Sequence, residues 1–137
     1  MNNLQFYWFD AWILLSIIYG CANKKAIDLA TIIEISDFIQ HSILTLEELD
    51  EGLNRLINKG YVIKHENYYS ISEEILSYYK RNTKPQKRVL KELENIEKFL
   101  NSKPYDLSYR PPTEFKNLVI EKKDYEDAVK EYQIKSK

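Results

Sequence analysis

The residues of this sequence that could do chemistry are two histidines, one cysteine and a cluster of lysines and arginines. His41 follows Asp37 by four residues, a spacing that places both side chains on one helix face, where they could share a metal ion. A metal site needs at least one further ligand, and neither His65 nor any acid supplies it by spacing. We therefore interpret Asp37 and His41 as a local ion pair near a helix end, and expect neither metal nor cofactor.

Cys21 is the single cysteine, so it cannot form an internal disulfide, which fits a reducing cytoplasm. No base lies beside it in the sequence, and the chain has no glycine-rich phosphate loop. Eleven tyrosines could line a small-molecule pocket, but aromatic residues at helical and strand spacing more often form the core. We therefore expect a protein that is not an enzyme.

The apolar run that precedes Cys21 resembles a lipoprotein signal only superficially. No Lys or Arg occurs before Lys24, Asp10 interrupts the apolar stretch, and the bulky Tyr19 sits next to the position where such a signal would be cut. The uninterrupted run from Ala11 to Tyr19 is far shorter than the ~20 residues that cross a bilayer. We expect a cytoplasmic protein that does not contact a membrane.

Charge is distributed unevenly along the chain. Residues 1–80 carry 6 basic and 11 acidic residues, whereas residues 81–137 carry 14 basic and 10 acidic residues. The segment KRNTKPQKRVLK contains no acid, and its basic residues are Lys80, Arg81, Lys84, Lys87, Arg88 and Lys91. Such a cluster suits a phosphate backbone, but it could equally pair with the acidic first part of the chain.

The first 60 residues read as three helices. Asp10 is the predicted cap of a first helix that is apolar nearly all round, so it must be covered on more than one side. Asp28 is the predicted cap of a second, moderately amphipathic helix. Thr45 and Glu48 form a capping box that begins a third helix, and Gly60 ends it in a left-handed conformation.

Beyond Gly60, the runs YVIK and YYSI are rich in β-branched and aromatic residues and predict a hairpin, which a fourth helix follows at Glu73. Thr83 and Gln86 repeat the capping-box pattern before a fifth helix, whose apolar residues have heptad spacing over two repeats and suggest an interaction face. Residues 101–114 read as an extended linker, and residues 115–120 as a short strand. A last helix carries an apolar face that should dock on something apolar; its members are Tyr125, Ala128, Val129 and Tyr132.

The order helix, helix, sharply capped helix, hairpin and helix, from about residue 10 to residue 79, resembles the winged helix-turn-helix domains of small bacterial transcriptional regulators. The residues that carry the resemblance are Leu49, Leu53, Leu56, Gly60, Tyr61, Val62, Tyr69 and Ile71. The resemblance covers about half of the chain. It implies a DNA-binding regulator, usually dimeric, with the third helix in the major groove and the hairpin as the wing.

At 137 residues the chain fits one domain with an appendage. We expect a mainly α fold with a small β-hairpin, in which residues 1–80 form a winged helix-turn-helix core. Residues 81–137 are then a C-terminal helical extension, packed on the same domain or on a dimer mate. Because the first and last helices both carry apolar faces that need cover, we predict a homodimer that buries at least one of them.

Two functional hypotheses remain open at this point. In the first, the protein is a regulator that binds double-stranded DNA through basic and amide side chains: Lys64, Asn54, Arg55, Asn58, Lys80, Arg81, Lys84, Lys87 and Arg88. In the second, it is a winged-helix module that does not bind DNA and offers an acidic face to a protein partner: Glu47, Glu48 and Glu51. The resemblance places the first hypothesis ahead, although the acids of the third helix stand where a recognition helix meets bases and phosphates and would repel DNA.

Overall fold

The structure, a computed structural model, describes residues 6–82, 88–102 and 120–135. In these ranges the chain forms six helices and a three-stranded antiparallel sheet, so the prediction of a mainly α fold with a small hairpin is confirmed. No helix in these ranges is long and apolar enough to cross a bilayer. The elements are α1 (Trp8–Gly20), β1 (Ile27–Asp28), α2 (Leu29–Gln40), α3 (Leu46–Asn58), β2 (Val62–His65), β3 (Tyr68–Ile71), α4 (Glu73–Asn82), α5 (Val89–Ser102) and α6 (Lys122–Lys135).

Helix α1 is the central element of the core. Every residue from Asp10 to Ile18 is buried, because α2, α3 and α5 all pack against this helix. The predicted need for cover on more than one side is thus met within one chain. The predicted start was wrong: α1 begins at Trp8, and the Asp10 carboxylate accepts a 2.9 Å hydrogen bond from the backbone N–H of Tyr7.

The ends of α2 and α3 follow the capping rules that their sequences predict. Asp28 accepts a 3.0 Å hydrogen bond from the backbone N–H of Thr31. Thr45 and Glu48 exchange side-chain to backbone hydrogen bonds of 3.1 and 2.9 Å. Gly60 follows α3 with φ of 82°, a conformation that a side chain would strain. These local bonds fix where α3 begins and ends.

The sheet has the strand order β1-β3-β2. The predicted hairpin of β2 and β3 is confirmed, with Lys64 opposite Tyr69 and His65 opposite Tyr68. Strand β1 was not predicted, because two residues are too short to show an alternating pattern. Since alternate residues of a strand point to opposite faces, Lys64 and Tyr69 share one face of the hairpin and His65 and Tyr68 share the other.

Helix α5 runs antiparallel along α1. Tyr19, at the end of α1, contacts Glu92 near the start of α5, and Asn101 at the other end accepts a 2.7 Å hydrogen bond from the Phe6 backbone. The heptad face of α5 is buried in this contact, so its prediction as an interaction face was wrong; its buried members are Leu93, Ile96 and Leu100. The predicted linker begins later than residue 101, because α5 continues to Ser102.

Helix α6 packs on α2 through the apolar face that the sequence predicts. Ala128 is buried, and Tyr125, Val129 and Tyr132 pack against the same core. The predicted capping box at Thr83 and the linker and strand over residues 103–119 lie outside the described residues. The part of the C-terminal extension that the structure describes therefore packs on its own chain.

Candidate partner-binding surfaces

Arg55 of α3 is held by a buried carboxylate on α1. Its Nε and Nη2 atoms donate hydrogen bonds of 2.8 and 2.9 Å to the two carboxylate oxygens of Asp10, which is fully buried. The guanidinium carbon lies 4.7 Å from the ring centroid of Tyr7. Burial lowers the pKa of Arg55, but the bonds to Asp10 and its charge raise it more, so the net shift is upward. Arg55, predicted as a DNA contact, is thus engaged inside the protein.

A close approach of α1 and α3 makes this ion pair possible. A Cβ atom added to Gly52 would lie 2.8 Å from Oδ1 of Asp10, so a larger residue at position 52 would push the two helices apart. The amino-acid sequence carries one signal of the pair. Asp10 is the single acid in a long apolar segment, and a buried carboxylate needs a cation or several donors.

With most of the Arg55 guanidinium turned toward Asp10, the exposed side of α3 carries mainly acids and amides. Glu47, Glu51, Asn54 and Asn58 follow one another at spacings of three or four residues and lie on this side, which we call the α3 face. Asn54 also donates a 2.9 Å hydrogen bond to the Asp50 carbonyl. Glu48, which the sequence groups with Glu47 and Glu51, lies away from the α3 face.

Helix α6 borders the α3 face. The backbone N–H of Ile120 donates a 3.0 Å hydrogen bond to the buried carboxylate of Asp50 on α3. The Tyr125 hydroxyl donates a 2.7 Å bond to the Leu44 carbonyl in the turn between α2 and α3. Burial, then the charges of Glu47 and Glu48, raise the pKa of Tyr125. The first turn of α6 therefore lies beside the start of α3.

Three further basic residues that were predicted to contact DNA lie near the C-terminal end of α1, whereas Asp10 lies near its N-terminal end. Lys80 and Arg81 lie at the end of α4, Arg88 lies just before α5, and all three are exposed. Tyr79 and Glu92, their near neighbours in sequence, contact Tyr19 at the end of α1. Lys84 and Lys87 lie outside the described residues.

Between Asp10 and Tyr19, α1 advances about 13 Å along its axis. The α3 face and the basic residues are therefore tied to opposite ends of the same helix. Lys64, in the hairpin, is exposed and donates a 2.7 Å hydrogen bond to the Glu66 carbonyl. The predicted DNA contacts thus fall into separate groups rather than one.

Glu92 is a buried carboxylate that joins α1, α4 and α5. It accepts hydrogen bonds from the hydroxyls of Tyr19 and Tyr79, the second at 2.7 Å. Burial and the neighbouring Glu92 carboxylate raise the pKa of Tyr19 well above its ordinary value. The raised pKa means that the folded state holds the Tyr19 proton more tightly than the unfolded chain does.

The raised pKa of Tyr19 predicts that the protein loses folding stability at alkaline pH. The stabilisation is complete below the ordinary tyrosine pKa of about 10 and is lost as the pH rises above it, because only the unfolded chain then releases the proton. We expect the urea midpoint to fall less between about pH 9 and about pH 11 in Tyr19→Phe than in the wild type. Tyr68→Phe removes an exposed tyrosine and should keep the wild-type decline; an equal decline in all three proteins would contradict the prediction.

The interpretation of Asp37 and His41 as an ion pair was wrong. Asp37 accepts a 2.5 Å hydrogen bond from the Tyr132 hydroxyl of α6, and His41 is an exposed residue with φ of 57° at the end of α2. Within residues 6–82, 88–102 and 120–135, no group of three His, Cys, Asp or Glu side chains could hold a metal ion.

The homodimer stays a prediction, but the two apolar faces that motivated it are covered by the chain itself. Other large apolar side chains are exposed and would have to form such an interface, among them Phe38, Leu90 and Ile134. No protein-family model matches the chain, and no curated protein or solved structure is significantly similar to it.

Proposed function

We propose that this chain is a winged-helix protein whose α3 face binds a basic surface of a protein partner instead of the major groove of DNA. The winged-helix assignment is supported by the order of α1, α2, α3, the β2-β3 hairpin and α4. It is the order on which the sequence resemblance rests. The choice of partner rests on the charge of the surfaces that DNA would have to meet.

The observation that carries the proposal is the engagement of Arg55 by Asp10. It turns most of the guanidinium toward a buried carboxylate, so that Arg55 offsets the acids of the α3 face only through a 4.0 Å contact between its Nη1 atom and Glu51. Affinity for duplex DNA comes largely from basic groups that neutralise phosphates, so a face with two acids and two amides repels DNA overall. The same face complements lysines and arginines on another protein.

The N-terminus of α2 gives independent support. Helix N-termini commonly contact DNA phosphates through free backbone N–H groups. Here the start of α2 lies in a cavity whose lining includes four carboxylates, those of Asp28, Asp124, Asp127 and Glu131. A phosphate approaching this helix end would meet negative charge from α6.

DNA binding of the transcriptional-regulator type is the second candidate, because Lys80, Arg81 and Arg88 are exposed. In that case affinity comes from these residues with Lys84 and Lys87, and α3 plays little part. Removing one phosphate-binding side chain would then lower the slope of log affinity against log salt by about 0.9.

The test compares charge reversal on the α3 face with a matched reversal elsewhere. Glu47→Lys/Glu51→Lys should abolish most capture of the protein partner from cell extract. Glu94→Lys/Glu126→Lys, which reverses two exposed acids on α5 and α6, should capture it as the wild type does. Equal capture by both double variants would contradict the proposal.

The same proteins decide the second candidate on duplex DNA at low salt. Our proposal expects weak retention that Glu47→Lys/Glu51→Lys increases, because the reversal removes repulsion. If the wild type is instead retained strongly, and Lys80→Gln/Arg81→Gln/Arg88→Gln loses most of that retention, the DNA-binding candidate replaces the protein-binding one.

A further inference from the structure

A cavity of about 230 Å³ lies between the start of α2, the hairpin and α6. We call it the α2–α6 cavity. Its polar lining side chains are Asp28, Lys64, Asn67, Tyr69, Asp124, Asp127 and Glu131. Four acids and one lysine give this lining a net formal charge of −3. The volume is below the range of about 300–1,000 Å³ that is usual for drug-sized ligands, so an occupant must be small.

Tyr69 is one of the residues that line this cavity. Tyr69 is only 3% exposed, and its hydroxyl makes no hydrogen bond to any other residue in the described parts of the chain. Burial raises the pKa of Tyr69 to about 12, with further contributions from Asp124 and Asp50, so the hydroxyl stays protonated at neutral pH. Leaving a buried hydroxyl unpaired is costly, which points to a ligand that pairs with it.

The arrangement of the acids decides which kind of cation fits. A divalent metal needs several carboxylate oxygens converging within about 2.6 Å of one point, and no cluster in the described residues does so. Asp124 and Asp127 are separated along α6, and neither forms an ion pair or hydrogen bond with another described residue. Separated carboxylates match a ligand whose positive charges are themselves separated.

We propose that the α2–α6 cavity binds a small organic polyamine, with its ammonium groups on Asp124 and Asp127 and one N–H donated to the Tyr69 hydroxyl oxygen. An ammonium group has up to three N–H donors, and hydrogen bonds from a charged donor are stronger than neutral ones. The ligand would bridge α6 and the hairpin. This inference concerns a different surface from the α3 face and does not depend on the protein partner.

Spermidine is the probe, and calorimetric titration of the full chain is the measurement. We expect saturable binding that Asp124→Asn/Asp127→Asn weakens at least about tenfold, since the variant removes both negative charges that the ammonium groups would contact. Tyr69→Phe should weaken binding several-fold. Glu126→Gln removes a neighbouring exposed acid of α6 that does not line the cavity, and should bind as the wild type does.

Binding that Asp124→Asn/Asp127→Asn leaves unchanged would overturn the proposal, as would absence of saturable binding. Magnesium chloride at matched ionic strength should not replace spermidine; if it does, the cavity attracts cations without selecting a polyamine, and the proposal fails.

Thermal unfolding keeps the test independent of folding defects. Without ligand, Tyr69→Phe should melt at or above the wild-type temperature, because it removes an unpaired buried hydroxyl and keeps the ring. Spermidine should raise the melting temperature of the wild type more than that of Tyr69→Phe. A clear drop for ligand-free Tyr69→Phe would show that the hydroxyl is already paired within the protein and would overturn its assignment to a ligand.

Discussion

Arg55→Met should lower the free energy of unfolding by roughly 3–5 kcal/mol, because it leaves the fully buried carboxylate of Asp10 without its cation. The methionine keeps most of the apolar stem, so the loss reports on the ion pair more than on packing. Urea unfolding of the purified proteins measures it. Arg81→Met, at an exposed arginine, is the matched control and should change stability by less than about 0.5 kcal/mol.

A second substitution distinguishes the loss of the Arg55–Asp10 ion pair from a general disturbance of the fold. Asp10→Asn in the Arg55→Met background removes the uncompensated charge and should recover part of the loss, which gives a coupling energy from the double-mutant cycle. If Arg55→Met costs no more than Arg81→Met, the ion pair does not form, and Arg55 returns to the exposed surface as a DNA contact. The stability measurement therefore bears directly on the choice between the two functions.

Leu53→Ala should cost roughly 2–5 kcal/mol, because it opens a cavity beneath α3 at a side chain with no exposed surface. Leu76→Ala, at a leucine of α4 that is 41% exposed, is the matched control and should cost much less. Urea unfolding measures both. A loss under about 0.5 kcal/mol for Leu53→Ala would show that a different side of α3 packs in the core. The residues assigned to the α3 face would then be wrong as well.

The two substitutions examine the same helix from different sides. Leu53 lies on the side of α3 that packs in the core, and Arg55 lies on the side of α3 that contacts Asp10 of α1. The remaining side is the α3 face, whose composition carries the proposed function. If both losses appear as expected, acids and amides are what α3 presents to a partner.

Elements whose causes are local could be predicted from the amino-acid sequence alone. The capping box of Thr45 and Glu48, the cap at Asp28 and the turn at Gly60 each involve residues within a few positions of one another. A pattern of this kind is complete within one stretch of sequence, so it can be read without knowing the fold. The apolar spacing of α3 likewise identified Leu49, Leu53 and Leu56 as core.

Apolar faces were visible in the sequence, but what covers them was not. From the sequence we predicted a homodimer that buries the apolar face of α1 or α6 or both, and an interaction surface at the heptad face of α5. In the structure α5 covers α1, and α6 covers α2. Periodicity shows that a face is buried, whereas the element that buries it depends on how the chain returns in three dimensions.

The character of the α3 face was decided by tertiary structure alone. Arg55 and Asp10 are separated by 45 positions, and the Ile120 to Asp50 bond spans 70. Charge counted along α3 leaves Arg55 available to a phosphate, but the close packing of α1 against α3 places its guanidinium on a buried carboxylate. A buried charge must be neutralised where it lies, so the partner of Arg55 is fixed by the packing of α1 and α3, which local sequence does not encode.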